Sequence, residues 1–184
     1  MKKIYFITGN DGKFREFKEL IPTIERLDID LPEVQSLDPT VVITQKLKAA
    51  QDKITDGNFI VEDTSLYLDG LNGFPGPLIK WLTESVGNQG VYNLTQKINN
   101  SRATAKTYIG YCDTSGAIEF FSGEISGTIV APARTLNEGF GWDEIFKPEG
   151  LSETFAEMGS SYKKEFSMRT EAINQMVAFL QNES

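Results

Sequence analysis

Lys3-Ile4-Tyr5-Phe6-Ile7-Thr8-Gly9-Asn10-Asp11-Gly12-Lys13 begins as an apolar run and ends as a polar, glycine-rich turn. Residues 3–7 read as a short buried strand that stops at Thr8-Gly9-Asn10. Asp11 stands where a cap belongs, for a helix over residues 12–20 carrying Phe14 and Phe17 on one face. A strand that passes through a glycine turn into a helix gathers backbone N–H groups and the positive helix end at one spot, which suits an anion. Lys13 would add a full charge there and Asn10 an amide. The turn is not a Walker A loop, which needs a longer glycine loop ending in Lys-Ser/Thr. The same residues also read as a surface turn with a solvated lysine.

Outward from that unit the pattern keeps alternating between strand and helix. Residues 24–31 alternate and suggest a second strand. Asp38-Pro39 is a helix start of the N-cap then N1 kind, for a helix reaching about residue 56 with Val42, Leu47, Ala50 and Ile54 near one face. Gly57-Asn58 turns the chain into a short strand, 59–61, that ends at Glu62-Asp63. A Gly/Pro-rich loop over 69–77 precedes helices at 78–85 and 89–98. A hairpin follows, 104–111 and 117–122 about Thr114-Ser115-Gly116, extended by a third strand at 125–130. The last helix is expected over 160–180, where Phe166, Ile173, Val177 and Leu180 recur at helical spacing. The fold expected is α/β: a long twisted mixed sheet with helices around it, in a single domain over residues 1–184, with 78–122 as a candidate smaller lobe.

Composition narrows the chemistry. The chain has 184 residues, room for one domain or two closely packed lobes. Its formal net charge is −8. A grip on a DNA or RNA backbone needs a basic stripe, so a nucleic-acid polymer is not expected as partner, whereas a small phosphorylated ligand is compatible if a few cations converge. Cys112 is the only cysteine and histidine is absent. That excludes an intrachain disulfide, a cysteine zinc site, Ser-His or Cys-His nucleophile pairs and imidazole metal sites. Catalysis would rest on carboxylates, lysines and hard cations bound by oxygen. The apolar residues 4–7 are too few for a signal peptide and no run is long enough to span a bilayer. The expected address is the cytoplasm, with no membrane partner.

The candidate residues fall in short clusters. Glu62-Asp63, at the expected carboxyl end of a strand, sits where crevices open in α/β sheets. Two adjacent carboxylates there could hold Mg²⁺ and deprotonate a water, or could simply end a strand in solvent. Glu33, after Leu31-Pro32, is a second carboxylate from a separate loop. Phe74-Pro75-Gly76-Pro77 is a stiff turn launching a helix, with Lys80 its one functional candidate beside Trp81. Phe140-Gly141-Trp142-Asp143 joins two aromatics to an acid, suited to a base face and a ring N–H and equally to core packing. Lys163 and Ser167 are four apart and share a helical face, near Arg169; a solvated basic patch is the plain alternative.

Taken in order, Thr-Gly-Asn-x-x-Lys, Leu-Pro-Glu, Gln-Lys, Glu-Asp-Thr-Ser-Leu, Phe-Pro-Gly-Pro-x-Ile-Lys-Trp, Gly-Phe-Gly-Trp-Asp and Thr-Phe-Ala-Glu-Met resemble the inosine triphosphate pyrophosphatase family over residues 4–172. The resemblance implies a nucleotide cleft between two lobes of a mixed sheet, a homodimer, and cleavage of deaminated purine triphosphates such as ITP, dITP and XTP. It implies that Thr8, Gly9, Asn10, Asp11, Gly12 and Lys13 hold phosphates, that Glu33 and Asp63 bind Mg²⁺ with Glu62 beside them, and that Lys46 and Lys80 reach triphosphate oxygens. Thr64 would contact substrate. Phe140, Gly141, Trp142 and Asp143 would form the base site, reached by Lys163 and Arg169 from the last helix. Asp63 is the candidate base for the attacking water, with Glu62 and Lys13 as its catalytic company.

One departure stands out. The family's usual Ser-His-Arg reads here Ser167-Met168-Arg169, and methionine offers no ring N–H donor. A pyrophosphatase of broader base specificity is therefore the rival expectation, and a catalytically silent nucleotide-binding protein the third.

Overall fold

The computed structural model describes residues 3–54, 57–132 and 141–182. In chain order it contains β1 (Ile4–Ile7), α1 (Asp11–Leu20), β2 (Glu25–Leu27), α2 (Pro39–Gln51), β3 (Asn58–Leu68), β4 (Pro75–Gly76), α3 (Ile79–Lys97), β5 (Arg102–Cys112), β6 (Ile118–Ile129), β7 (Phe146–Pro148), α4 (Phe155–Phe166) and α5 (Met168–Asn182). The seven described strands form one mixed sheet ordered β2-β1-β3-β5-β6-β7, with β4 added to β3. β2 and β3 flank β1 in parallel; the remaining pairs are antiparallel.

Side-chain caps start α1, α2 and α4. The opening unit forms as expected, but its cap is Asn10 rather than Asp11: the Asn10 side chain accepts from the Lys13 N–H, and Asp11 enters the first turn. Asp38 caps α2 ahead of Pro39 as expected, although the helix stops at Gln51 instead of continuing to about residue 56. A capping box, Thr154 with Glu157, opens α4. The expected helices at 78–85 and 89–98 are the two parts of α3, broken at Gly87 with φ 68° and ψ 170°.

Three expectations change. The strand at 24–31 shrinks to β2. The strand at 59–61 lengthens to the eleven residues of β3, so Glu62 and Asp63 lie in mid-strand and not at its end. The third hairpin strand is absent from the described sheet, because β6 runs unbroken through Ser122-Gly123. Gly123 is a packing residue: a β-carbon there would run into the Met168 carbonyl and the Glu171 side chain where α5 crosses the sheet. Gly123→Ala is expected to lower stability by about 1–3 kcal/mol through overpacking, measured in denaturant; an unshifted midpoint would mean that α5 does not press on this spot. The expected last helix is also two, α4 and α5, parted at Ser167, whose hydroxyl accepts from the Arg169 N–H.

Paired residues across an antiparallel ladder share a face, which sorts the core. On one face Phe59, Val61 and Cys112 pack with Ile43, Leu47 and Ala50 of α2. On the other, Phe6, Ile60 and Ile109 pack with α1 and α5. Further along that second face, Leu66, Leu68, Ala103 and Ala105 pack with α3, Trp142, Phe146 and Phe155. Among the described residues no helix is long and apolar enough to cross a membrane.

Candidate active site

The edge of β3 creates the cleft. Residues 58–60 of that edge pair with β1, and Leu66 and Tyr67 pair with β4. Between them residues 61–65 have no strand neighbour on that side among the described residues, so the described sheet is split where its most polar side chains emerge. Three pockets of about 630, 130 and 370 Å³ surround the split, and Lys13 and Lys80 line all of them. The first takes in Thr8, Gly9, Asn10, Glu33, Lys46 and Glu62. The second adds Asp63, Thr64 and Trp81. The third holds Gly141, Trp142, Asp143, Lys163, Met168 and Arg169.

Asp11 and Gly12 are not among these lining residues, and the Asp11 carboxylate is engaged by Arg26 at 2.5 Å. Phe140 lies outside the described residues. The other expected site residues converge on the cleft.

Glu62 and Asp63 are not a paired carboxylate site. Successive strand residues point to opposite faces, and the hydrogen bonds follow that rule: Thr64 donates to Glu62, while Ser65 donates to Asp63 Oδ2 at 3.0 Å. Glu62 faces α1 and α5. Asp63 faces the pocket of Glu33 and Lys46.

Glu62 belongs to a buried ladder of alternating charge. Lys13 Nζ meets Glu62 Oε2 at 2.9 Å, and Arg169 Nη2 meets Glu62 Oε1 at 3.3 Å and the Thr64 hydroxyl at 3.0 Å. Arg169 Nη1 also donates to Glu16, which lies 3.5 Å from Lys163 Nζ. Lys163 in turn donates to Asp143 Oδ2 at 2.7 Å. Burial pushes the Glu62 carboxyl up, but Arg169 and Lys13 outweigh it and hold the group at about 2. Burial is likewise outweighed at Glu16, by Arg169 and Lys163, and its carboxyl sits below the usual range. No motif in the sequence singles out Glu16. A local signal does exist: it is three residues after Lys13 and so on the same helical side. Arg169 lines the ring pocket as expected, while its Nη donors also serve Glu16, Glu62 and Thr64.

The second pocket has a different electrostatic character. Burial raises the Asp63 carboxyl, and the charges of Lys13 and Lys46 offset only part of that. Glu33 faces it from the loop before α2; burial raises its carboxyl too, yet the hydrogen bond and charge of Lys46, 2.7 Å away, bring it below the usual range. Among the described residues no three His, Cys, Asp or Glu side chains gather into a metal cage. Mg²⁺ often takes only one or two carboxylates, with waters and phosphate oxygens completing its shell. A pair of carboxylates from separate segments, one of them under-compensated in charge, fits such a cation.

The third pocket is walled by Ile79, Lys80, Thr83 and Glu84 of α3 on one side and by Gly141, Trp142 and Asp143 on the other. Trp142 is 7% exposed and packs edge-on to Phe146 at 5.5 Å, so it is both core and pocket wall. Met168 is buried and brings to the pocket lining a thioether, which has no hydrogen to donate.

Fold and cleft together define an α/β protein with a lysine-lined cleft beside a ring-sized pocket walled by Trp142, Met168 and charged side chains. The chain belongs to the Ham1 family, whose model matches residues 4–179. It is 36% identical to the dITP/XTP pyrophosphatase of Methanopyrus kandleri, covering 98% of this chain and 97% of that protein. It is 38% identical to inosine triphosphate pyrophosphatase 1 of Trypanosoma cruzi, over 93% of this chain and 88% of that one. The Ham1 protein of Staphylococcus aureus superposes with a TM-score of 0.83 at 26% identity, each chain covered completely.

Proposed function

We propose that this chain hydrolyses deaminated purine nucleoside triphosphates (ITP, dITP and XTP) to the monophosphate and pyrophosphate. The observation that carries the reading is the convergence of Lys13, Lys46 and Lys80 on the split in β3 that presents Asp63, beside a ring-sized pocket. The names of the similar proteins from M. kandleri and T. cruzi support the same substrate class.

The triphosphate lies along the lysines, with Thr8, Gly9 and Asn10 beside it, and the base enters between α3 and Trp142. Glu33 and Asp63 would hold Mg²⁺, which would supply Lewis-acid polarisation of the phosphates and offset their charge. Asp63 takes a proton from the water that attacks the α-phosphorus, and the bond from that phosphorus to the bridging oxygen of pyrophosphate breaks. Lys13, Lys46 and Lys80 offset the charge that builds on the leaving group. Glu62 orients Lys13 and takes no proton, since the ladder keeps it ionised.

Asp143 and Lys163 supply the acceptor and donor for the base edge. An oxygen at the purine six-position suits a cationic donor, whereas the amine of adenine opposes it; such sites can reject the wrong partner by roughly 10⁴-fold. Met168 favours a second reading, a pyrophosphatase with wider base tolerance. We further infer a cytoplasmic homodimer, a molar mass that light scattering tests.

Turnover in heavy-oxygen water tests the point of attack. Label is expected in the monophosphate. Label in the pyrophosphate would mean attack at the β-phosphorus and would overturn this mechanism.

A further inference from the structure

The ring pocket has two walls that come from segments far apart in sequence, so something must fix their spacing. α3 is broken at Gly87, and Asn88 is the first residue after the break. Its Nδ2 donates to the Gly141 carbonyl at 2.9 Å and to Glu144 Oε1 at 2.7 Å. Both partners can only accept, so the amide nitrogen and not the oxygen must face them. The bond to Glu144 is charge-assisted and the stronger of the two.

The part of α3 after the break is anchored. Val91 is fully buried in the cluster that also holds Trp142 and Ile145. Asn88 therefore ties the turn that carries Gly141, Trp142 and Asp143 to a fixed stretch of helix. The part before the break, with Ile79, Thr83 and Glu84, forms the opposite wall. Gly141 has φ +64°, a left-handed conformation that favours glycine, and the hydrogen bond to its carbonyl holds that peptide in place.

We propose that Asn88 is a positioning residue: by clamping Gly141 and Glu144 it sets the distance between the two walls and so the fit of the base. The inference rests on reading this pocket as the base subsite. Asn88 touches no reacting atom, so its loss acts on base binding and on discrimination between bases, with little effect on the chemical step.

The test is steady-state kinetics with ITP and ATP on wild type, Asn88→Asp, Glu144→Gln and the double variant. Asn88→Asp keeps the shape, removes the donor and sets a carboxylate against Glu144. It is expected to raise KM for ITP roughly tenfold, with kcat within about threefold, and to narrow the ITP-to-ATP ratio of kcat/KM. Glu144→Gln alone is milder, about threefold in KM. In the double variant the amide introduced at position 144 donates to the carboxylate introduced at position 88, while the Gly141 carbonyl still lacks its donor, so part of the lost ITP affinity returns. A KM within twofold of wild type for both single variants, with the base ratio intact, overturns the clamp while leaving the active-site reading in place. A double variant no better than Asn88→Asp overturns it as well. Wild type that releases pyrophosphate from no triphosphate removes the reading of the pocket itself.

Discussion

Asp63→Asn is expected to lower kcat by about 10³-fold or more, as loss of a positioned base and metal ligand together should, while the protein folds normally. The stability side follows from the sign of the pKa shift. Asp63 has its carboxyl raised by burial, so the folded state holds the proton more tightly than the unfolded chain, and stability falls as pH rises through the interval between the two values. At neutral pH the ionised group costs the fold free energy, which asparagine removes. The variant should therefore unfold at the same temperature as wild type or somewhat higher, the usual mark of a residue kept for chemistry. Activity near that of wild type would remove Asp63 from the mechanism. In wild type kcat/KM should fall at acid pH, because Asp63 must be ionised to act.

Arg169→Ala is the second large effect, and its direction in stability is opposite. Arg169 is 1% exposed and meets Glu16, Glu62 and Thr64. Removing it strands a buried carboxylate, which costs about 3–5 kcal/mol, or roughly ten degrees of melting temperature in a domain of this size. The pH signature is specific. Glu62 is depressed from 4.5 to about 2 in the fold, so its contribution is complete above the unfolded value and is lost as pH falls toward 2. Glu16 shifts in the same direction. Wild type should lose stability across that acid window, and the alanine variant should show little of this loss because its carboxylates are no longer held down. Thermal unfolding from neutral pH to pH 2 (about the folded Glu62 value) checks it; parallel curves for the two proteins would mean that the ladder contributes nothing.

What the sequence disclosed follows its physics. The opening strand, turn and helix were legible because apolar periodicity and a glycine turn are local signals. So was Asp38-Pro39 as a helix start. The long β3 was not: its polar run from Glu62 to Ser65 looks like a loop to any local rule, and only pairing with β5 makes it a strand. For the same reason the opposite orientation of Glu62 and Asp63 was hidden until residues 62–65 were known to be extended. The unbroken β6 was hidden too, because local patterning does not show that a glycine at 123 makes room for α5. Ser167, by contrast, is a cap residue type, a local signal for the start of α5. Lys13 and Lys80 stood out beside their own turns, whereas Lys46 came only from family resemblance, which is blind to partners that the motifs do not include. Glu16 and Asn88 act through long-range contacts, with Arg169 and Glu144, and only the fold brings those together.

The most direct measurement is pyrophosphate release from ITP, XTP and dITP against ATP, GTP and dUTP, each with Mg²⁺ and with EDTA. Metal-dependent release with ITP and XTP favoured by orders of magnitude is the predicted result, with the methionine at 168 tolerated. Equal release from every triphosphate would contradict the base selectivity assigned to the ring pocket. No release from any of them would contradict the central claim.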